Sequence, residues 1–461
     1  MSGARGVPAV EGAPLPEAPP EERALGLLWY ATRAPGCGGR IKEEPDDFVV
    51  AERTRWPAED AGGAFLLMAV RARNWETNRL LGRLARDLRV SRGRLGFAGT
   101  KDKRSVSTQG VSAKVGPERT AAHIRRPEVE VLRSYRAARG LALGDLDGND
   151  FEVFVTGLPA GAPAIARAEA VVAELRESGC PNYFGTQRFG SLRPVTHAVG
   201  RAIVDGDFAL AVERYIGTPS PHEAADVAAF REAFRGGTPA RELLARAPAR
   251  LGFERQMLEA LAQAPEDPLG AILRLPRNLV LMFIHAHQSE IFNRVVSERM
   301  ARGLPLTRPV EGDLVVPLDA AGNAREDEPV PVSGANLEKV VAQVAKGRAA
   351  VTGLVPGYGA PLAEGEPGAI EREAMAAAGR SARDFVLPDL PRFTTTGVRR
   401  PLALPVGPLA VEACDVRGGP ALRLAFSLPR GSYATVVLRE VIKRPESAWA
   451  PTAPRGGAAP S

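Results

Sequence analysis

The most concentrated polar segment of the chain is residues 97–109, FAGTKDKRSVSTQ. A glycine-containing turn runs into Lys101-Asp102-Lys103-Arg104. A phosphate-binding loop needs glycine directly before Lys-Ser/Thr. Here Thr100 separates Gly99 from Lys101, and Asp102 follows, so an acid would sit inside the cradle and repel the ligand. That spacing argues against a phosphotransferase holding ATP at Lys101. Asp102 itself offers other chemistry. Neighbouring cations favour the charged form of a carboxylate, and an ionised Asp on a loop can serve as a nucleophile or an electrostatic stabiliser. The same residue would also suit the solvated acid of a surface turn.

Three further segments carry suitable side chains. Residues 181–190, PNYFGTQRFG, join three aromatics to Asn182, Gln187 and Arg188 within a turn. Aromatic faces stack on bases and amides read their edges, although a packed aromatic turn has the same composition. Residues 426–440, FSLPRGSYATVVLRE, set Tyr433 beside cations, and Lys42 precedes Pro45-Asp46-Asp47-Phe48. Metal chemistry finds little support. His285 and His287 are two apart and on a helix would not share a face. Residues 143–151, LGDLDGNDF, fail the calcium-loop pattern, since the sixth position counted from Asp145 is Asp150, not glycine. Cys37, Cys180 and Cys414 are too few and too scattered for a disulfide framework or a CxxC site, which fits a reducing, cytoplasmic setting.

Charge distribution points to the kind of partner. The formal net charge of +6 is modest. Residues 71–104, however, hold 11 basic and 3 acidic side chains, and residues 391–444 hold 9 and 3. Concentrated cationic surface suits a polyanion, nucleic acid first, though arginines also solvate helix faces. Only seven of the 60 basic residues are lysines, and Lys42, Lys101 and Lys103 fall in the segments above.

The elements that must position these groups follow from pattern. A length of 461 residues suits two to three domains, and no apolar run approaches a membrane span. Residues 48–51, 64–72 and 150–155 read as strands. Thr77 reads as the cap of a helix whose apolar positions are Leu80, Leu81, Leu84 and Leu88. Residues 164–178 read as a helix. From about 192 to 395 the pattern is mostly helical, after which 402–410, 421–426 and 435–442 read as strands or a strand-to-helix passage. Residues 1–25 and 447–461 are rich in Pro, Ala and Gly, and read as disordered ends.

Taken in order, GRIKEEPDDFVVAE (39–52), FAGTKDKRSVSTQ (97–109), LDGNDFEV (146–153), PNYFGTQRFG (181–190) and FSLPRGSYATVVLREVI (426–442) resemble the motifs of the TruD family of tRNA pseudouridine synthases. QSEIFNRVVSER (288–299) is similar to a helix of that family's insertion, and TTGVRRPLAL (395–404) looks like the return from it. The resemblance covers roughly residues 38–444. It implies an α+β pseudouridine synthase fold with a mixed, largely antiparallel sheet, interrupted by a mostly helical α/β TRUD domain. The implied boundaries are 26–194 and 396–446 for the catalytic domain and 195–395 for the insertion.

The implied activity is isomerisation of a uridine in tRNA, position 13 of the D arm in bacterial members. Asp102 falls on the family's essential acid. Lys42 would contact the target nucleotide or tune Asp102. Asn182 and Phe184 would line the uracil pocket. Tyr433 would stack on the base, where the family often has Phe, and Arg439 would be a cationic partner for Asp102. Lys101, Lys103, Arg104 and Arg188 would hold RNA. No cofactor or metal is implied, and a cytoplasmic monomer is expected. A catalytically silent tRNA-binding or RNA-folding protein would use the same cations and aromatics but would not need Asp102.

Overall fold

The structure, a computed structural model, describes residues 14–190 and 193–449. Residues 1–13 and 450–461, where most of the two expected disordered ends fall, lie outside the described residues.

An eight-stranded sheet organises the first unit. Its strands are β1 (Phe48–Thr54), β2 (Phe65–Arg73), β3 (Leu95–Phe97), β4 (Val106–Lys114), β5 (Val129–Ala137) and β6 (Leu146–Val155). Further along the chain come β7 (Cys180–Pro181), β8 (Leu314–Pro317), β9 (Val330–Pro331), β10 (Ala349–Val355), β11 (Val398–Pro401) and β12 (Ala403–Leu404). The last two are β13 (Ala410–Val416) and β14 (Gly419–Pro429). The large sheet runs β13-β14-β6-β1-β4-β2-β5, with β3 paired to β4. β1 and β4 are parallel, and the other pairings are antiparallel.

Period-two alternation decides what each face does. Phe48, Val50 and Glu52 share one face of β1, beside Val153, Phe151 and Asn149 of β6. Phe151 lies directly opposite Phe426 of β14, with rings stacked at 5.3 Å and 24°. Leu66, Met68, Val70 and Ala72 of β2 pack with Leu80, Leu81 and Leu84 of the helix Thr77–Asp87. The cap of that helix is Glu76, not Thr77: its carboxylate accepts from the N–H groups of Asn78 and Arg79. Thr77 sits one residue later with its hydroxyl turned inward.

The second unit is helical, with a small sheet in the order β11-β10-β8-β9. The helix Arg277–Ala301 is buried along most of its length. Its Ile291 and Val295 belong to the helical core, while Phe292 and Val296 join the core beneath the large sheet. A helix apolar on several sides is suited to such a shared interior position. β11 pairs with β10, so the small sheet reaches past residue 395. Among the described residues no helix is long and apolar enough to cross a membrane.

The described parts of both expected disordered ends are ordered. Ala18 and Leu25 are buried, and the Ala18 N–H donates to the Leu28 carbonyl. Glu22 is buried against Arg439. At the other end, the fully buried Trp449 indole donates to the Arg444 carbonyl, and the Trp449 carbonyl accepts from the Ile41 N–H. Proline- and alanine-rich composition disfavours an independent core, but these segments have one made for them by the rest of the chain.

Candidate active site

A cavity of about 1320 Å³ opens between the two units. Phe48, Val50, Asn149 and Phe151 line it from the sheet, and the loop after β3 contributes Ala98–Asp102. Tyr433 enters from the turn before the helix Ala434–Ile442, and Glu326 and Arg400 come from the side of the helical unit.

Asp102 projects into this space with 61% of its side chain exposed. One carboxylate oxygen, Oδ2, accepts from Lys42 Nζ at 2.9 Å, and Oδ1 has no partner among the described residues. The Lys42 side chain is only 10% exposed, and its ammonium lies 4.1 Å from the centroid of the Phe48 ring. Lys42 takes a left-handed backbone conformation, φ 55°. For a residue with a Cβ this costs on the order of 1 kcal/mol, so the surrounding contacts hold the amine in place against local preference. The Ser105 hydroxyl donates to the Asp102 carbonyl at 2.8 Å and closes the loop on itself.

The loop is tied down one residue earlier. Lys101 Nζ donates to Glu52 Oε2 at 2.5 Å, with 4% and 0% of the two side chains exposed. The Lys101 N–H donates to the Thr77 hydroxyl at 2.7 Å. Glu52 also accepts from the Gly110 N–H and the Thr54 hydroxyl. Lys101 borders the cavity, but its buried ammonium is neutralised by Glu52, which disfavours its expected role in holding RNA. Lys103 is exposed. Arg104 is half-buried and donates to the Glu43 carbonyl.

Of the two residues expected to line the uracil pocket, Asn182 borders the cavity. Asn182 is buried, and its amide is hydrogen-bonded at both ends: Nδ2 donates to the Pro401 carbonyl at 2.9 Å and Oδ1 accepts from Arg400 Nη2 at 2.6 Å. Phe184 is enclosed rather than presented. Its ring meets Phe292 and Tyr433 edge-on at 5.5 and 6.1 Å, and the guanidinium carbon of Arg400 lies 4.2 Å from its centroid. Arg188 also lies over Phe184, at 5.4 Å, and donates to the Ser289 hydroxyl. Tyr433 is half-buried and lines the cavity.

Arg439 is not the partner of Asp102. It is buried in a separate cluster, with Nε to Glu22 Oε2 at 2.5 Å, Nη1 to Glu440 Oε1 at 2.9 Å, and its guanidinium over Tyr30. Desolvation alone would lower the affinity of this guanidinium for its proton, but the two carboxylates outweigh it and raise its pKa. Lys42 supplies the counter-charge that Arg439 was expected to provide.

The family model described as tRNA pseudouridine synthase D (TruD) matches residues 24–441. The chain belongs to the TruD family. A Methanococcoides burtonii protein named "Probable tRNA pseudouridine synthase D" is 37% identical over 429 residues, spanning 92% of this chain and 98% of its own. A protein of the same name from Halobacterium salinarum is 40% identical over 442 residues, spanning 93% and 98%. A solved TruD structure from Methanosarcina mazei superposes with a TM-score of 0.81 at 36% identity, covering 94% of this chain and 100% of its own. The fold is thus the TruD fold, mixed in helix and sheet.

Within this TruD fold, three cavity-side residues were not singled out from sequence. Glu52 could have been found from alternation, since a strand that turns Phe48 and Val50 inward must turn Glu52 inward too. Arg400 could have been found because two adjacent arginines on a strand, 399 and 400, must point to opposite faces. Arg399 pairs with Glu371 at 2.7 Å, whereas Arg400 has no ion pair among the described residues. Asn149 carried no signal of its own, yet its buried Oδ1 has no hydrogen-bond partner.

Proposed function

We propose that the chain is a tRNA pseudouridine synthase that isomerises a uridine in the D arm, at position 13, with Asp102 as the essential acid. The observation that carries this reading is an exposed carboxylate facing a buried ammonium, Lys42, inside a cleft walled by both units. The large sheet and its C-terminal return form the catalytic domain, and the helical unit forms the other wall of the RNA cleft.

The chemistry suits these groups. A base in folded RNA must leave its stack to be reached, at a cost of a few kcal/mol, and an aromatic face such as Tyr433 returns ~1–3 kcal/mol. Cleavage of the N1–C1′ bond develops positive charge at C1′, which the Asp102 carboxylate stabilises or captures. The uracil then turns and C5 bonds to C1′. The C5 proton departs and N1 acquires one, so the product is an isomer of the substrate. Lys42, with its position set by Phe48, orients Asp102 and leaves Oδ1 toward the substrate.

Asp102→Asn is expected to abolish pseudouridine formation while leaving tRNA affinity within about several-fold, because an isosteric amide removes the anion but little contact surface. Mapping pseudouridine in total tRNA from cells with and without the gene reads both activity and position. A wild-type protein that leaves every uridine unchanged would show a silent RNA-binding protein instead.

A further inference from the structure

Arg400 is a cation inside the cleft that no anion neutralises. It is 9% exposed. Its Nε and Nη2 donate to the Asn182 carbonyl and to Asn182 Oδ1, and Nη2 also reaches the Gly431 carbonyl at 3.4 Å. Nη1 has no hydrogen-bond partner among the described residues, and no carboxylate there is ion-paired with this guanidinium. Glu326, which lines the same cavity, acts on it only at longer range. Among the described residues the other deeply buried arginines are paired: Arg399 with Glu371, Arg299 with Asp313, Arg231 with Glu223, and Arg439 with Glu22 and Glu440.

A buried charge without a counter-ion is costly. Burial holds the Arg400 pKa down to about 10, against the opposing pull of Tyr433 and Glu326. The guanidinium is also rigid. It lies over the Phe184 ring at 4.2 Å, with the neighbouring Phe292 ring 5.6 Å away, and its fork is held by Asn182. Such a preorganised fork with a free N–H edge matches a phosphate oxygen.

We propose that Arg400 binds the backbone phosphate flanking the extruded uridine, with Asn182 and Phe184 acting as positioning residues that aim it. This rests on the reading of the chain as an RNA-modifying enzyme and extends it. The pair expected to touch uracil instead builds the phosphate site, and the base is left to Tyr433 and the floor of Phe48 and Phe151. A phosphate here would fix the sugar beside Asp102 from the side opposite the sheet.

The test couples a protein change to an RNA change. Single-turnover pseudouridine formation and tRNA affinity are measured for wild type, Arg400→Gln and Arg400→Lys. The substrates are ordinary tRNA and tRNA carrying one neutral methylphosphonate, placed 5′ or 3′ of the target uridine. For wild type, one of these replacements is expected to weaken binding by about tenfold or more, the usual size for a charge-assisted contact. In Arg400→Gln the same replacement is expected to cost less than about twofold, and the log–log salt slope of binding is expected to fall by about one phosphate's worth. Arg400→Lys keeps the charge and is expected to retain most of the methylphosphonate sensitivity. This second variant keeps the coupling measurable if glutamine disturbs folding. If the penalties of Arg400→Gln and of both methylphosphonates simply multiply, the phosphate assignment is overturned while the activity stands. If wild type makes no pseudouridine in ordinary tRNA, the functional reading and the assignment fall together.

Discussion

Removing Glu52 should uncouple the catalytic loop from the sheet without touching Asp102. The Glu52 carboxylate is fully buried and accepts three hydrogen bonds, from Lys101 Nζ at 2.5 Å, Thr54 Oγ1 at 2.8 Å and Gly110 N at 3.0 Å. Glu52→Ala leaves the Lys101 ammonium, 4% exposed, without a counter-charge. Losing one partner of a buried pair costs about 3–5 kcal/mol, which includes the stranded Gly110 and Thr54 donors. The paired change Glu52→Gln with Lys101→Met removes both charges at similar volume and is expected to recover to within about 1–2 kcal/mol of wild type. The denaturant midpoint measures the first quantity, and hydrogen exchange at residues 98–105 localises it. Pseudouridine formation by Glu52→Ala is expected to fall about 100-fold, the scale associated with a roughly 1 Å misplacement of a reacting group, with tRNA affinity nearly unchanged. The reasoning is refuted if Glu52→Ala loses less than about 1 kcal/mol, or if adding Lys101→Met makes it worse.

Two further outcomes follow from groups outside the cleft. Ending the chain at Pro445 deletes the fully buried Trp449 indole and the carbonyl that accepts from Ile41. A loss of about 3–5 kcal/mol in unfolding free energy is expected relative to a chain ending at Trp449; equal midpoints for the two truncations would contradict the packing. Burial lowers the pKa values of His197 and His287 from 6.5, while His287, His197 and Arg294 overcome burial and hold Glu290 at about 2 rather than 4.5. All three bind protons more weakly folded than unfolded. Stability from this cluster is therefore complete above about pH 6.5 and declines on acidification, first through the histidines and then, below about 4.5, through Glu290. A denaturant midpoint that stays constant from pH 7.5 to about 4 would exclude this coupling.

The sequence shows more of the fold than of the contacts. Strands read at 48–51, 64–72 and 150–155 and a helix at 164–178 are legible from apolar runs and alternation, and they fall within or against the observed elements Phe48–Thr54, Phe65–Arg73, Leu146–Val155 and Ala164–Ser178. Asp102 and Lys42 are legible as a polar pair only through the ordering of motifs, since 60 residues separate them. The pairing of Lys101 with Glu52 is not legible, because a run of cations does not reveal that successive side chains leave the backbone in different directions. Arg439 was misread because its partner Glu22 lies 417 residues away, in a segment whose composition resembles a free tail. Asn182 and Phe184 have the right types for base recognition, but only the position of β11 shows that Arg400 takes both.

The pairing of β14 with β6 has a consequence for the order of assembly. Ser427 hydrogen-bonds Asp150 across 277 residues of chain. Closing so long a loop as free polymer carries an entropy that grows with its logarithm. A folded helical unit shortens the path, because β7 and β12 pair at its two ends. During synthesis, then, β6 emerges with one edge unsatisfied and waits for the last strands, and Glu22 waits still longer for Arg439. Until β14 arrives the nascent chain carries an open strand edge at β6, a template for wrong pairings. The helical unit that narrows the cleft in the finished protein would thus also serve as the clamp that brings the two halves of the sheet within reach of each other.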